Sequence, residues 1–384
     1  MTAKIPKHWK IKTLGEIANI SSGTTPFRKN PLFYDNADIP WVKTTDLNNS
    51  YITTTEEKIS MYALNNTSLR LYPTNTVLVA MYGGFNQIGR TGKLAMEATI
   101  NQALSALVLK NDDVNSDYLL FWLNANVEKW KRFAGSSRKD PNINGKDVAG
   151  FPILIPPLEE QEKIAEILLT CDKAIRLTTQ IITQLKQRNQ GLAQQLLTGE
   201  KRVKGFENSV WKEVRLGEIG EVYQPETISQ SLLTEKGFKV YGANGVIGYY
   251  SRYNHENEQI AVVCRGSTCG LVNFTEAKSW ITGNAMVINL DGSPNYSKLF
   301  VYEYLKNDNL NYLITGSGQP QITSEIKKHI IKVPSFKEQN AIAQILDTAH
   351  QELKLYEQKL QLLQAQKKTL MQKLLTGEVL TIKK

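Results

Sequence analysis

The sequence predicts an α+β protein with two similar strand-rich domains and two long coiled-coil helices. One amphipathic segment occurs twice, at residues 157–200 and 335–378, with a constant offset of 178 residues. In both copies the apolar positions step by four and three residues without a break, which is a heptad seam. A globular segment precedes each copy. The chain is therefore predicted to run domain, helix, domain, helix.

The heptad seam predicts which side chains pair the two helices. Each copy follows a proline and ends at a glycine, so each helix has definite ends. About 38 residues at about 1.5 Å per residue give a rod of roughly 57 Å. Each seam has one long polar residue at the same late point, Asn189 and Lys367, which could fix the register. The predicted helix-pair interface is Ile164, Leu168, Ile175, Ile182, Leu185, Leu192 and Leu196 with Ile342, Leu346, Leu353, Tyr356, Leu360, Leu363, Leu370 and Leu374.

The globular segments also repeat. The motif Trp-x4-Leu-Gly-Glu-Ile begins at Trp9 and returns at Trp211, an offset of 202, so the second domain is 24 residues shorter. Length differences of this kind fall in surface loops, and a shared frame with different loops suits two versions of one recognition task. We divide the chain into a first domain (1–157), a helix (158–205), a second domain (206–334) and a helix (335–384).

Apolar runs predict the elements of each domain. In the first domain they predict strands at residues 39–43, 76–82, 104–110 and 151–155, and a helix at 117–130. In the second domain they predict strands at 259–264, 285–290 and 330–334, and a helix beginning in 297–305. Both domains are therefore expected to be mixed α/β with a strand-rich core.

Composition restricts the class of protein. The chain has no apolar run near the roughly 20 residues that span a bilayer and no apolar leader core at its N-terminus. We therefore expect a cytoplasmic protein that has no membrane partner. The net charge of +9 suits a polyanionic partner. Residues 206–334, however, hold 12 basic and 13 acidic side chains. Charge alone therefore favours nucleic acid only weakly.

Motifs that resemble catalytic sites are incomplete. Residues 84–91 have the glycine spacing of a phosphate-binding loop, but Arg90 replaces the lysine. Residues 30–34 lack the second proline of an aminomethyltransferase loop, and Glu276-Ala-Lys278 has the Glu-x-Lys form of a nuclease without the preceding Pro-Asp. The four histidines are scattered, and Cys264 and Cys269 have no second cysteine pair for zinc. The sequence predicts no catalytic residue and no metal site.

The layout resembles the specificity (S) subunit of type I restriction-modification systems. The most specific match is the segment Pro-Pro-Leu-Glu-Glu-Gln-Glu-Lys-Ile-Ala at residues 156–165, with its twin at 334–343. Leu-Leu-Thr-Gly-Glu closes both helices as it does in that family. The paired Trp-x4-Leu-Gly-Glu-Ile starts and the stretch at residues 21–26 also look like target-recognition domains.

The resemblance implies a fold and a division of labour. Two target-recognition domains would be separated by two antiparallel coiled-coil helices, and each domain would read one half of a bipartite double-stranded DNA target. The helices would set the gap and dock two methyltransferase (modification) subunits, and a restriction or translocase subunit would join through the complex. This chain would bind no cofactor itself, because S-adenosylmethionine would be held by the methyltransferase subunit.

Loop residues with amide, hydroxyl or cationic side chains are the expected DNA contacts, since such groups bind base edges and phosphates. In the first domain they are Arg28, Lys29, Lys43, Thr44, Thr45, Asn86, Gln87, Arg90, Lys93, Arg138, Lys139 and Asn142. In the second domain they are Tyr241, Asn244, Arg252, Arg265, Ser267, Gln319 and Gln321.

Two other classes of protein remain open at this point. A non-catalytic coiled-coil adaptor joining two protein-binding modules would show no DNA sequence preference, even with a methyltransferase present. A standalone repressor with two readers would bind its DNA target without any methyltransferase.

Overall fold

A computed structural model describes residues 5–84, 86–134, 142–316 and 318–381. The chain forms two compact units. Unit 1 consists of residues 1–177 and 360–384, and unit 2 consists of residues 178–359. Each long helix therefore contributes residues to both units. Within the described ranges, none of the helices is both long and apolar enough to cross a bilayer.

The described part of the first domain, inside unit 1, contains a larger sheet, a smaller sheet and a separate strand pair. Its strands are β1 (Lys10–Thr13), β2 (Ala18–Ser22), β3 (Ile39–Val42), β4 (Tyr51–Ile52), β5 (Glu57–Ile59), β6 (Val77–Ala80), β7 (Thr91–Leu94), β8 (Thr99–Ile100), β9 (Leu104–Leu109) and β10 (Pro152–Ile155). Its helices are α1 (Leu14–Ile17), α2 (Met61–Asn66), α3 (Ser116–Ala125), α4 (Trp130–Phe133) and α5 (Gly145–Gly150). The larger sheet has the order β2-β9-β6-β7-β4 and the smaller β5-β3-β8, while β1 pairs with β10.

The second domain, inside unit 2, repeats this frame. Its strands are β11 (Lys212–Arg215), β12 (Glu221–Tyr223), β13 (Phe238–Gly242), β14 (Gly245–Tyr250), β15 (Ile260–Val263), β16 (Val272–Phe274), β17 (Trp280–Ile281), β18 (Ala285–Asn289), β19 (Ile314–Thr315), β20 (Gln321–Ile322) and β21 (Ile330–Val333). Its helices are α7 (Leu216–Ile219) and α8 (Lys298–Asn307). The sheets have the orders β12-β18-β15-β16 and β14-β13-β17, and β11 pairs with β21.

The central strands are the ones with continuous apolar runs. All four residues of β6 and all four of β15 are buried, as expected for strands covered on both faces. Helix α3 is fixed at its start by Asn115, whose side chain accepts from the N–H groups of Asp117 and Tyr118. It ends earlier than the sequence predicted, because Asn126 leaves the helical conformation and its side-chain amide donates to the Trp122 carbonyl.

The two repeated segments form the long helices α6 (Leu158–Leu197) and α9 (Phe336–Leu375), of 40 residues each. Past their ends, Gly199 and Gly377 adopt positive φ angles of 76° and 74°, a conformation that ends a helix without steric cost only at glycine. A Cβ at Gly377 would also lie 2.4 Å from the Pro6 ring. In unit 1 the first half of α6 packs with the last part of α9, and in unit 2 the remaining halves pack together. The pairing is therefore antiparallel in each unit.

All the predicted helix-pair positions are buried or half-buried. Each of the two polar seam residues has a partner on the other helix within its own unit. In unit 2 the Asn189 amide donates to the Ala349 carbonyl (2.9 Å). In unit 1 the Lys367 ammonium lies 2.5 Å from Asp172 Oδ1 and 5.3 Å from the centre of the Phe121 ring. Because each contact has a specific partner on the other helix, both oppose sliding of one helix along the other.

Candidate nucleic-acid interface

Three backbone hydrogen bonds join the starting points of the predicted DNA-reading loops in the first domain. The Asn101 N–H donates to the Val42 carbonyl (2.9 Å), at the end of β3. The Met81 N–H donates to the Ala103 carbonyl (2.8 Å), and the Met81 carbonyl accepts from the Ile143 N–H (3.0 Å). Val42, Met81 and Ile143 therefore lie together, and the loops that follow Val42 and Met81 begin from one place.

The same three bonds recur in the second domain. The Thr282 N–H donates to the Tyr241 carbonyl (2.9 Å) at the end of β13. The Cys264 N–H donates to the Asn284 carbonyl (2.9 Å), and the Cys264 carbonyl accepts from the Ile322 N–H (3.0 Å). The two domains thus share an equivalent base of three hydrogen bonds. The loops themselves differ in length and sequence.

In the first domain one carboxylate holds two predicted DNA-contact cations. Arg28 and Lys43 both form ion pairs with Glu57, and the Lys43 ammonium lies 2.6 Å from Glu57 Oε1. The Arg28 guanidinium also lies 5.0 Å from the centre of the Tyr34 ring and 4.9 Å from that of Trp41. Hydrogen bonds from Arg28 and then Lys43 lower the pKa of Glu57. The two cations are therefore ordered, and Arg28 is about half exposed (51%).

The loop between β6 and β7 carries three further predicted contacts. Asn86 is exposed, and Gln87 and Arg90 are half-buried, with Arg90 Nη1 3.4 Å from Gln87 Oε1. The residues after Arg90 form strand β7. The glycine spacing of residues 84–91 therefore leads into a strand, where there is no helix N-terminus for a phosphate.

The remaining predicted residues of this domain are placed as follows. Lys29, Thr45 and Asn142 are exposed, and Thr44 is half-buried. Arg138 and Lys139 lie outside the described residues.

Lys93 is not on this surface. Its side chain is 3% exposed, and its ammonium lies 2.7 Å from Asp117 Oδ1 in the first turn of α3. The Tyr51 hydroxyl donates to the same oxygen (2.5 Å). Burial, and then this bond to the carboxylate, raise the pKa of Tyr51. Lys93 is therefore part of a buried joint between β7 and α3, and we assign it no DNA contact.

In the second domain hydrogen bonds bring three loop segments together. Arg265 forms an antiparallel bridge with Gln321, so the loop after β15 lies against β20. The Thr268 hydroxyl donates to the Ala243 carbonyl (2.9 Å) and lies 3.3 Å from Asn244 Oδ1. The turn after β13 therefore contacts the loop after β15. The predicted contacts that these segments expose are Asn244, Arg265, Ser267, Gln319 and Gln321.

Two residues predicted for the second domain stand apart from this cluster. Tyr241 is buried (8% exposed), and its hydroxyl accepts from the Glu276 N–H (3.2 Å). Its side chain is therefore a core group, and only its carbonyl takes part in the base of the loops. Arg252 is exposed on the segment between β14 and β15.

A buried glutamine joins each domain to its long helix. Gln161 Oε1 accepts from the Asn115 N–H (2.9 Å), and its amide donates to the carbonyls of Asp113 (3.0 Å) and Pro156 (2.9 Å). Its counterpart Gln339 makes the equivalent three bonds in unit 2. These hydrogen bonds fix the position of each domain on its helix. The glutamine is repeated in the sequence, but the heptad pattern gave it no role.

The glutamate before each of these glutamines binds residues that precede the first strand of its domain. Glu160 accepts from the Trp9 indole N–H (2.9 Å) and lies 2.7 Å from His8 Nε2. Glu338, fully buried, accepts from Arg202 Nε (2.9 Å) and also bonds the Ser209 hydroxyl. A polar residue repeated in the first turn of both helices is the signal that could have identified this role.

The geometry is that of a positioned loop surface. Among the described residues, no group of three or more His, Cys, Asp and Glu side chains is arranged to hold a metal ion. What the loops offer instead are amides, hydroxyls and cations, the groups that bind base edges and phosphates.

Comparison with known proteins assigns a family to this architecture. The model of the type I restriction modification DNA specificity domain matches twice, at residues 6–187 and 208–365. The type I restriction enzyme EcoprrI specificity subunit of Escherichia coli is 26% identical over 356 residues, covering 87% of this chain and 86% of that protein. The MjaIX specificity subunit of Methanocaldococcus jannaschii is 33% identical over 177 residues, 45% of this chain and 40% of that protein.

Solved structures share the fold. The S subunit of a type I restriction-modification system from M. genitalium superimposes with a TM-score of 0.68 at 17% identity, covering 98% of this chain and 97% of that one. The HsdS subunit from Thermoanaerobacter tengcongensis gives a TM-score of 0.52 at 15% identity, with 98% of each chain covered. The repeated domains, the paired long helices and the double family match lead to one conclusion: the chain belongs to the type I restriction-modification DNA specificity family.

Proposed function

We propose that this chain is the non-catalytic DNA-recognition subunit of a type I restriction-modification complex and that each domain reads one half of a bipartite target. The observation that carries this proposal is the repeated base of three hydrogen bonds from which different loops emerge. Because the base is equivalent, the loops of each domain start from the same positions in the shared frame. Different loop side chains then allow the two half-sites to differ in sequence.

In the first domain the readers are Arg28, Lys29, Lys43 and residues 44–45, with Asn86, Gln87, Arg90 and Asn142. In the second they are Asn244, Arg265, Ser267, Gln319 and Gln321, with Arg252 as a phosphate contact. The ion pairs of Arg28 and Lys43 with Glu57 support this assignment, because side chains that are ordered before binding lose less entropy on binding DNA.

The paired helices set the gap between the half-sites. Regular helices that are pinned in register by Asn189 and Lys367 have a fixed length, and half-sites about one turn of the duplex apart require readers with a fixed separation. The helices also dock two methyltransferase subunits. Those subunits hold S-adenosylmethionine, and a restriction or translocase subunit joins through the complex.

Mapping of adenine methylation tests the proposal. DNA is taken from cells that contain a cognate methyltransferase subunit, with and without this chain. We expect a two-part methylated motif that occurs only when this chain is present. If the subunits associate but no new motif appears, the chain is a protein adaptor; specific DNA binding without a methyltransferase would instead indicate a standalone repressor.

A further inference from the structure

Phe27 is the most exposed phenylalanine that the structure describes, at 67% exposure. It follows the buried Pro26 and precedes Arg28 and Lys29, which are both exposed. A single exposed apolar side chain is ordinary on a protein surface. Whether a partner covers Phe27 therefore has to be decided from its surroundings.

The backbone around Phe27 is held in place by hydrogen bonds. We name residues 26–34 the Phe27 turn. The Tyr34 hydroxyl donates to the Pro26 carbonyl (2.8 Å), and the Asn30 N–H donates to the Phe27 carbonyl (3.0 Å). Phe27 is thus presented from an ordered backbone, so a contact made by its ring costs little additional conformational entropy.

Within the Phe27 turn, packing alone would favour the opposite placement of the apolar and the charged side chain. The Arg28 guanidinium lies 5.0 Å from the centre of the Tyr34 ring and 4.9 Å from that of Trp41, and it pairs with Glu57. Phe27, the residue beside it, is left in solvent. Burial of an apolar side chain stabilises a fold roughly in proportion to the area removed from water, and the turn forgoes that gain. A partner that covers Phe27 accounts for this arrangement.

The charges near Phe27 indicate the kind of partner. The Phe27 turn contains Arg28 and Lys29 but no aspartate or glutamate. Lys43, another predicted DNA contact, shares Glu57 with Arg28. An apolar group among cations fits a polyanion that also offers apolar groups. Double-stranded DNA does so in its major groove, where the C5-methyl group of thymine lies beside the hydrogen-bonding edges of the bases.

The equivalent segment of the second domain differs in charge. Between β2 and β3 the first domain has a 3-10 turn at Pro31–Phe33, and between β12 and β13 the second domain has one at Gln230–Leu232. Leu232 is 50% exposed. Residues 224–233, however, contain no lysine or arginine. The combination of an exposed apolar side chain with adjacent cations therefore belongs to the segment of the first domain.

We propose that Phe27 reads a thymine in the half-site of the first domain by packing its ring against the C5-methyl group. This inference rests on the proposed function and adds a residue that determines specificity through an apolar contact. Arg28 and Lys29 bind base edges or phosphates, so the ring enters the major groove together with them. Insertion of the ring between base pairs would require their unstacking, whereas the methyl contact leaves the duplex intact.

Removal of single methyl groups from the DNA tests this contact. Adenine-methylation mapping first gives the bipartite target. Oligonucleotides of that target are then made with each thymine in turn replaced by deoxyuridine, which lacks only the C5-methyl group. Their binding is measured with the complex of the full-length chain and its methyltransferase subunits.

The expected result is a loss of response at one thymine. With the wild-type chain, deoxyuridine at that position should weaken binding about fourfold, the effect of one buried methyl group. In Phe27→Ala the same replacement should have no effect, because the partner of the methyl group is already absent. Replacements at the other thymines should affect both proteins equally.

Leu232→Ala is the matched control. Leu232 is also an exposed apolar residue next to a strand connection, but it has no neighbouring cation. This variant should keep the wild-type response at every thymine. Phe27→Leu retains an apolar side chain and should retain part of the response that Phe27→Ala loses. Circular dichroism confirms that each variant is folded.

The outcomes separate this inference from the proposed function. If the wild-type complex binds its bipartite target but no thymine loses its response in Phe27→Ala, the thymine contact is refuted and the proposed function stands. Loss of methyltransferase subunits from Phe27→Ala in native mass spectrometry would show a protein contact and would also overturn the inference. Weaker DNA bending in Phe27→Ala without any change in the deoxyuridine response would replace the methyl contact by insertion between bases. If the wild-type chain directs no bipartite motif, the proposed function fails and the thymine contact fails with it.

Discussion

Replacing Gln161 by leucine should loosen the first domain from α6. The side chain is fully buried and makes three hydrogen bonds of 2.9–3.0 Å, to Asn115, Asp113 and Pro156. Leucine has a similar volume but can make none of them. A buried hydrogen bond contributes about 1 kcal/mol net, so the loss should be about 3 kcal/mol. That corresponds to about a 150-fold rise in the opening of this joint.

Hydrogen exchange in the full chain measures this effect locally. The N–H groups of Asn115 and of the first turn of α3 should exchange faster in Gln161→Leu. The exchange rates in unit 2 should be unchanged. Gln339→Leu should transfer the effect to unit 2, where Gln339 bonds the Ser297 N–H. Gln184→Leu is the control, because Gln184 is exposed and leucine already occupies the equivalent position at 362.

Two results would refute this reasoning. One is a free energy of unfolding of unit 1 in Gln161→Leu within about 0.5 kcal/mol of wild type, the level of ordinary surface substitutions. The other is faster exchange of equal size in both units, which would mean that the glutamine acts through the helix pair and not through its own domain.

Three further predictions concern charge, recognition and length. Burial raises the pKa of Glu303, which faces His350 (3.4 Å), so the stability this group contributes is present at acidic pH and is lost as pH rises. Glu303→Gln should therefore raise the free energy of unfolding of unit 2 more at pH 8 than at pH 5, and equal gains in urea titrations at both pH values would contradict this sign. Arg90→Ala should weaken target methylation by the assembled complex, at a cost of about 1–3 kcal/mol if Arg90 contacts a base, without changing the half-site read by the second domain; altered bases in that half-site on methylation mapping would disprove the division of labour. Inserting one heptad-breaking turn into residues 164–196 should change the methylated gap or abolish assembly, and an unchanged gap with full activity would show that the helices are not the ruler.

The long helices could be predicted from the sequence in detail because their determinants are local. The four-three step of Leu168, Ile182 and their equivalents selects the buried face of each helix. The glycines at 199 and 377 end the helices through a backbone preference of single residues. The central strands β6 and β15 were predictable for the same reason, since continuous apolar runs favour burial on both faces.

The candidate interface could be predicted only in part. That loops after β3 and β6 carry amides and cations is visible in the chain. That these loops start from one place depends on hydrogen bonds between residues such as Val42 and Asn101, which lie far apart in sequence. No local pattern records such pairings.

Burial of single side chains was likewise a tertiary matter. Lys93 follows a glycine-rich loop and looks like a surface cation, but Asp117 and Tyr51 approach it from other elements and enclose it. Tyr241 has a polar aromatic side chain and stands near a turn, so it looked like a DNA contact. Its ring, however, packs in the core of its domain. The sequence by itself determined the duplication, the heptad seam and the helix ends, because periodicity and capping act within a few turns. Only the tertiary structure decided which polar side chains face solvent, because that depends on the partners that distant segments bring to each one.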